Sequence, residues 1–263
     1  MSEHIIDRPN GQHIFCKSDG EGAPFVLLHG LGTHIDIWND LLPNLPTNLQ
    51  IIRCDIRGHG RSSAPDAPYA MGQLISDIEA VLDHLSVRDA VVLGTSIGGM
   101  IAQGLAVKRL DLVRGLVLSN TAAKIGNADH WQDRIDAYRA RGLSNSAGSI
   151  LEKWFSRGYV MFNQTHIFRQ ILLSTPLEGY LGCCHAIKGT DFYTPTSGLR
   201  LPTLGIASSE DQVTPTDLVR ETLDVIPGSK FHLMRRLGHL PCVEAPEAYA
   251  EVITQFLKDI GHI

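Results

Sequence analysis

Ala90-Val91-Val92-Leu93-Gly94-Thr95-Ser96-Ile97-Gly98-Gly99 is the stretch on which the fold turns: a short apolar run, then a serine with glycines two positions to either side, then a helical run at 100–110. The apolar run reads as a buried strand. The glycines permit a reversal from strand to helix in which larger side chains two positions from Ser96 would collide. Such a turn lifts the hydroxyl to the carboxyl end of a sheet, where open α/β folds form their ligand crevices.

The same alternation extends in both directions. Short apolar runs bounded by turn residues stand at 24–28, 49–54, 112–118 and 203–207, with a further strand-like run at 230–234. Between them Met71, Leu74, Ile75, Ile78, Val81, Leu82 and Leu85 recur at helical spacing, as do Val252, Ile253, Phe256, Leu257 and Ile260. Strands alternating with helices imply an α/β fold with a mostly parallel sheet and helices on both faces, because parallel neighbours need crossover connections. Residues 5–17 read instead as a hairpin around Pro9-Asn10-Gly11. From 121 to 199 the rhythm breaks, and Trp131, Ile135 and Tyr138 mark an amphipathic helix in a region without a convincing strand. The division this predicts is a core of 1–120 and 200–263 with a helical cap, 121–199, inserted after a strand; ordinary sheet-covering helices are the alternative.

The 263 residues, 43% of them apolar and 19% charged, describe a globular chain able to bury roughly three quarters of its unfolded surface in one core. Twenty-three Lys and Arg against 28 Asp and Glu give a net charge of -5, which excludes a general electrostatic footprint for nucleic acid or anionic lipid. Any anionic ligand must be held locally. The N-terminal residues lack a signal-peptide pattern, and no stretch approaches the roughly 18 apolar residues of a membrane span, so a soluble, cytoplasmic protein is expected. Cys16, Cys54, Cys183, Cys184 and Cys242 form an odd set with no CxxC pair and read as reduced thiols. The twelve histidines include no HExxH or similar pair, so no metal is expected.

The strand–turn–helix around Ser96 has the form of a nucleophile elbow. A serine hydroxyl is a weak nucleophile at neutral pH and needs a base within hydrogen-bond reach, held in turn by an orienting group. Asp211, in the loop after 203–207, and His239, in Leu237-Gly238-His239-Leu240-Pro241, both fall just beyond strand ends. Asp211 would otherwise cap a helix starting near Pro215, His239 would be a backbone-bonded loop residue, and Glu210 is a rival acid. Attack on a carbonyl also needs oxyanion donors, and the backbone N–H groups of Ile97 and Leu31 are the natural pair. His29, beside Leu31, reads as structural.

Taken together, His29-Gly30-Leu31-Gly32, Asp55-Ile56-Arg57-Gly58-His59-Gly60-Arg61-Ser62, the Ser96 turn, and Gly238-His239 with Glu244-Ala245-Pro246-Glu247 resemble the α/β-hydrolase superfamily over nearly the whole chain. The chain order Ser, Asp, His is the one associated with that arrangement. Within it, Leu118-Ser119-Asn120-Thr121-Ala122-Ala123-Lys124-Ile125-Gly126 followed by Trp131 and Arg134 is similar to the opening of the cap in 3-oxoadipate enol-lactonases of the β-ketoadipate pathway. Lys153-Trp154-Phe155 and Glu178-Gly179-Tyr180 with Cys184, Ala186 and Ile187 are similar as well. Ser208 stands where the family often has glycine, and Ile97 replaces a frequent methionine.

The resemblance implies a serine hydrolase that opens a small anionic enol-lactone without metal or organic cofactor and without nucleic-acid or membrane partners. The substrate carboxylate then needs a local cation. Arg134 is the candidate, with Trp131 as an apolar wall; a solvated helix face is the alternative for Arg134. Asp55, Arg57 and His59 read as loop-bonding residues rather than crevice groups. Rival functions on the same scaffold are a carboxylesterase or carbon–carbon hydrolase, a haloperoxidase side activity, and a ligand receptor with slow hydrolysis. A haloalkane dehalogenase is excluded, since that chemistry needs a carboxylate where Ser96 stands.

Overall fold

The computed structural model of the protein describes residues 1–162 and 165–263. At the N-terminus, Asn10 and Gly11 accept left-handed backbone (φ 63° and 70°), which lets the chain turn from β1 (Ser2–Arg8) into β2 (Gln12–Asp19) as an antiparallel hairpin. β2 pairs antiparallel with β4 (Leu49–Cys54), which follows β3 (Ala23–Leu28). All further pairings, through β5 (Ala90–Thr95), β6 (Val113–Ser119), β7 (Thr203–Ser208) and β8 (Lys230–Met234), are parallel. The sheet order is β1-β2-β4-β3-β5-β6-β7-β8.

Strands covered on both sides are apolar at successive positions rather than alternating, and β3 and β5 are of this kind. Phe25, Val26, Leu27 and Leu28, with Val91, Val92 and Leu93, are fully buried. Each such side chain contributes about 1.5–3 kcal/mol, so the sheet floor is the rigid part of the molecule.

The flanking helices include α1 (Met71–His84) and α2 (Ile97–Lys108), and the apolar stripe read from Met71 to Leu82 is buried as its spacing requires. α2 begins at Ile97, directly after the serine, rather than at 100. Gly98 and Gly99 are poor interior helix formers, but here they occupy the first turn, where a Cβ on Gly98 would run into the Leu28 carbonyl oxygen.

Between β6 and β7 the described residues contain no strand. They form α3 (Ala128–Trp154), broken at Gly142 (φ 74°), then α4 (Arg157–Met161), α5 (His166–Ser174), α6 (Leu177–Lys188) and α7 (Tyr193–Ser197). α7 lies beside α2, where Thr196 donates to Gln103 at 3.0 Å. α8 (Thr216–Asp224), the short α9 (Pro241–Glu244) and α10 (Pro246–Asp259) complete the chain. No helix among the described residues is long and apolar enough to cross a membrane. All five cysteines are free and buried.

Candidate active site

Ser96 sits between the end of β5 and the first residue of α2 with φ 57° and ψ −122°, a conformation that costs an L-residue of order 1–3 kcal/mol and persists only when its surroundings dictate it. Two features dictate it. The Ser96 N–H is held by the carbonyls of Ser119 (3.2 Å) and Asn120 (3.1 Å), and its own carbonyl accepts from the Thr121 hydroxyl at 2.5 Å. Gly94 and Gly98 supply the space, since a Cβ on Gly94 would meet the Gly98 carbonyl. The turn therefore has the form read from the sequence, and it presents Ser96 at the carboxyl ends of β3 and β5, where the strand order reverses direction.

Asp211, after β7, and His239, after β8, are brought together: His239 Nδ1–H donates to Asp211 Oδ2 at 2.8 Å, and both are buried. The same Oδ2 accepts from Asn120 Nδ2 (2.9 Å) and Thr214 Oγ1 (2.7 Å), while Oδ1 accepts the N–H groups of Val213 (2.7 Å) and Thr214 (3.1 Å). Burial pushes this carboxyl up, but the charge and hydrogen bond of His239, with the bonds from Asn120 and Thr214, outweigh it and hold Asp211 below the ordinary carboxylate range. Glu210, the rival acid, points elsewhere and accepts the Arg157 N–H at 3.1 Å. With Nδ1 committed to Asp211, the other ring nitrogen of His239 is free to accept a proton. His239 and Ser96 line one cavity, and the two make no hydrogen bond to each other in this structure.

The loop after β3 holds Leu31 opposite the serine. Gly32 N–H donates to His59 Nε2 (2.9 Å) and Thr33 N–H to the Gly30 carbonyl (3.3 Å), whereas the N–H groups of Leu31 and Ile97 have no acceptor among the described residues. Backbone N–H groups left without an acceptor beside a nucleophile are the kind of donor that developing negative charge on oxygen requires. His29, beneath this loop, donates from Nδ1 to the Gly30 carbonyl (2.8 Å) and accepts Ile56 N–H at Nε2 (3.0 Å). Burial depresses both His29 and His59 to about 3, so each is neutral and serves as a bracket for backbone. Asp55 likewise accepts the N–H groups of Ile35 and Arg61 (2.9 Å each), and Arg57 pairs with Asp77 at 2.7 Å. These residues build the loops and do not line the cavity, in agreement with the structural reading of the sequence.

The cavity, partly open to solvent, lies between the strand ends and α3 and α6. Ser96, His239 and Leu31 form one side; Trp131, Arg134, Tyr138 and Tyr180 form another, joined by Trp154 and Ile187. Trp131 is buried and fixed by its indole N–H, which donates to the Ile125 carbonyl at 2.6 Å. Arg134 is not on a solvated face. Its guanidinium lies 4.3 Å from the Trp131 ring centroid and donates to the Tyr138 hydroxyl (3.2 Å), and among the described residues it has no carboxylate partner. Lys153 also reaches the lining, in which no Asp or Glu stands among the described residues. A partly buried guanidinium that has no carboxylate partner among the described residues is chemically suited to an anion, in a chain whose net charge is -5.

Sequence reasoning named Ser96, Asp211, His239, Leu31, Ile97, Trp131 and Arg134; the structure lines one cavity with Ser96, His239, Leu31, Trp131 and Arg134, while Asp211 stands behind His239 and Ile97 follows Ser96 at the start of α2, both off the lining. It missed Asn120 and Thr214 as partners of Asp211 and the ring of Tyr138, Trp154 and Tyr180. Asn120 carried a signal, since it follows immediately after a strand at the carboxyl end of the sheet.

Comparisons with known proteins place this geometry in context. The family described as alpha/beta hydrolase fold matches residues 23–246. A 3-oxoadipate enol-lactonase of Acinetobacter baylyi is 31% identical over 244 residues, covering 89% of this chain and 88% of that one. Among solved structures, a hydrolase from Pseudomonas aeruginosa PA01 superposes with a TM-score of 0.93 at 31% identity, covering 97% of this chain and 98% of the other. The enol-lactonase of Burkholderia xenovorans LB400 does so with a TM-score of 0.92 at 28% identity, covering 98% and 100%.

Proposed function

The chain belongs to the α/β-hydrolase family, and from that premise we propose that this hydrolase opens the enol-lactone of 3-oxoadipate to 3-oxoadipate, with residues 1–120 and 200–263 as catalytic core and 121–199 as cap. In this reading Ser96 is the nucleophile, His239 the general base and Asp211 the group that fixes the imidazole tautomer and stabilises imidazolium. Ser96 Oγ attacks the lactone carbonyl as His239 takes its proton, and the N–H groups of Leu31 and Ile97 receive the oxyanion. The leaving group is an enolate, far better than an alkoxide. It departs to give an acyl-enzyme, is protonated by His239, and becomes a ketone. Water activated by His239 then attacks the ester carbonyl and frees Ser96.

The observation that carries the substrate assignment is Arg134, stacked on Trp131 in the same cavity as Ser96 with no carboxylate partner among the described residues. The similarity to enol-lactonases supports the same reading. Loss of the enol-lactone ultraviolet absorbance on adding purified protein tests it: turnover near the ordinary enzyme rate of about 10 per second is expected, abolished in Ser96→Ala. Neutral esters turning over while the enol-lactone does not would replace the lactonase with a carboxylesterase, and turnover of neither would leave a ligand receptor.

A further inference from the structure

Glu244, in the Glu244-Ala245-Pro246-Glu247 segment that follows the histidine loop, has no part in the reaction as derived above, yet its carboxylate is half-buried and has no cationic partner among the described residues. Burial raises its pKa against the bonds it accepts. Burying a carboxylate without a counter-ion is unfavourable unless neutral donors surround it, and here they come from two directions. Gly238 N–H donates to Oε1 at 2.8 Å from the histidine loop. Ser156, the residue that caps the start of α4, donates its N–H at 3.2 Å and its hydroxyl. One residue further on, His239 N–H donates to the Trp154 carbonyl at 2.8 Å. Gly238 lets the two segments touch, because a Cβ there would stand 2.6 Å from the Phe155 carbonyl carbon. The backbone carrying His239 is thus fastened to residues 154–156, one of which, Trp154, lines the cavity.

We propose that Glu244 is a positioning residue: its carboxylate clasps the Gly238 amide to Ser156, so that the cap and the His239 loop move as one body and the imidazole is set for Ser96. The inference rests on the Ser96–His239 reading and not on the identity of the lactone. Losing the clasp frees the His239 backbone by an ångström or so, and misplacements of that size reduce rates by up to about 100-fold.

The experiment compares wild type with Glu244→Gln, which keeps shape but replaces one acceptor oxygen with a donor. The readouts are p-nitrophenyl acetate turnover, the rate at which a fluorophosphonate labels Ser96, and thermal unfolding, all on the intact chain. Turnover and labelling are expected to fall about 10- to 100-fold, with KM within two-fold of wild type and the variant fully folded at the assay temperature. Should Glu244→Gln fail to fold, Ser156→Ala, which removes only the hydroxyl donor, carries the test with an expected fall of about three- to ten-fold. A folded variant that labels and turns over within two-fold of wild type, while Ser96→Ala is inactive, overturns the positioning role alone. Turnover surviving in Ser96→Ala overturns it together with the triad.

Discussion

Replacing Arg134 by Gln tests the substrate assignment most directly. Gln retains most of the length and a donor for the Tyr138 hydroxyl, which the guanidinium now contacts at 3.2 Å, but removes the charge facing the cavity. Hydrogen bonds to charged groups are worth about 1.5–3 kcal/mol, and truncating one partner of a desolvated pair costs about 2–5 kcal/mol. Arg134 is only partly buried, so the lower end applies. A loss of about 2–3 kcal/mol corresponds to a KM for the anionic lactone raised roughly 30- to 150-fold. Because the carboxylate is remote from the reacting carbonyl, it is held equally in ground and transition states, and kcat should change little. A neutral ester such as p-nitrophenyl acetate loses only the order that the stacked guanidinium gives Trp131, about 0.5–1 kcal/mol, or two- to five-fold. The assay is a pair of saturation curves, one following enol-lactone absorbance and one following nitrophenolate release, for wild type and variant at the same salt. Equal rises in KM for both substrates, or a fall in kcat alone, would refute an anion-binding role.

Two further outcomes follow from the polar groups behind the cavity. Asn120→Gly keeps the left-handed backbone (φ 47°) but removes one of the three donors to Asp211 Oδ2; kcat should drop about ten-fold with little change in KM, and an unchanged kcat would show that Thr214 and His239 suffice. His29 and His59, depressed to about 3, accept backbone N–H groups at Nε2 and stay unprotonated when folded, whereas the unfolded chain takes up these protons near pH 6.5. The unfolded state therefore binds more protons below pH 6.5, and stability falls as the pH drops toward 3, by about 1.4 kcal/mol per pH unit for each histidine well below 6.5. The depressed Asp211 carboxyl adds a loss only below about pH 4. Urea midpoints between pH 7 and 4.5 should decline in wild type and more gently in His59→Gln; parallel curves would remove His59 from the account.

The α/β architecture was legible because it rests on local periodicities. The apolar runs at 49–54 and 203–207 and the stripe from Met71 to Leu82 had no other stable arrangement, and β4, β7 and α1 lie where those patterns put them. The start of α2 was not legible to the residue. Gly98 and Gly99 resist a helix by propensity, and only contact with the end of β3, for Gly98, and with the Thr121 side chain, for Gly99, makes their lack of side chains a requirement.

By itself, then, the sequence determined the strand–turn–helix around Ser96, the mostly parallel sheet and the residue types able to perform acyl transfer, since each follows from neighbours a few positions apart. For the acid, the sequence favoured Asp211 over Glu210, and tertiary structure supplied the reason that Asp211 is the one holding His239. Asp211 and Glu210 are adjacent in the chain, and only the position of Asn120, 91 residues away, and the Thr214 turn distinguish the buried one from the one facing Arg157. It also decided that Arg134 faces a cavity rather than water and that Glu244 joins the histidine loop to Ser156. Burial and hydrogen-bond partnership depend on which distant segments meet, and a one-dimensional pattern carries periodicity but not that meeting.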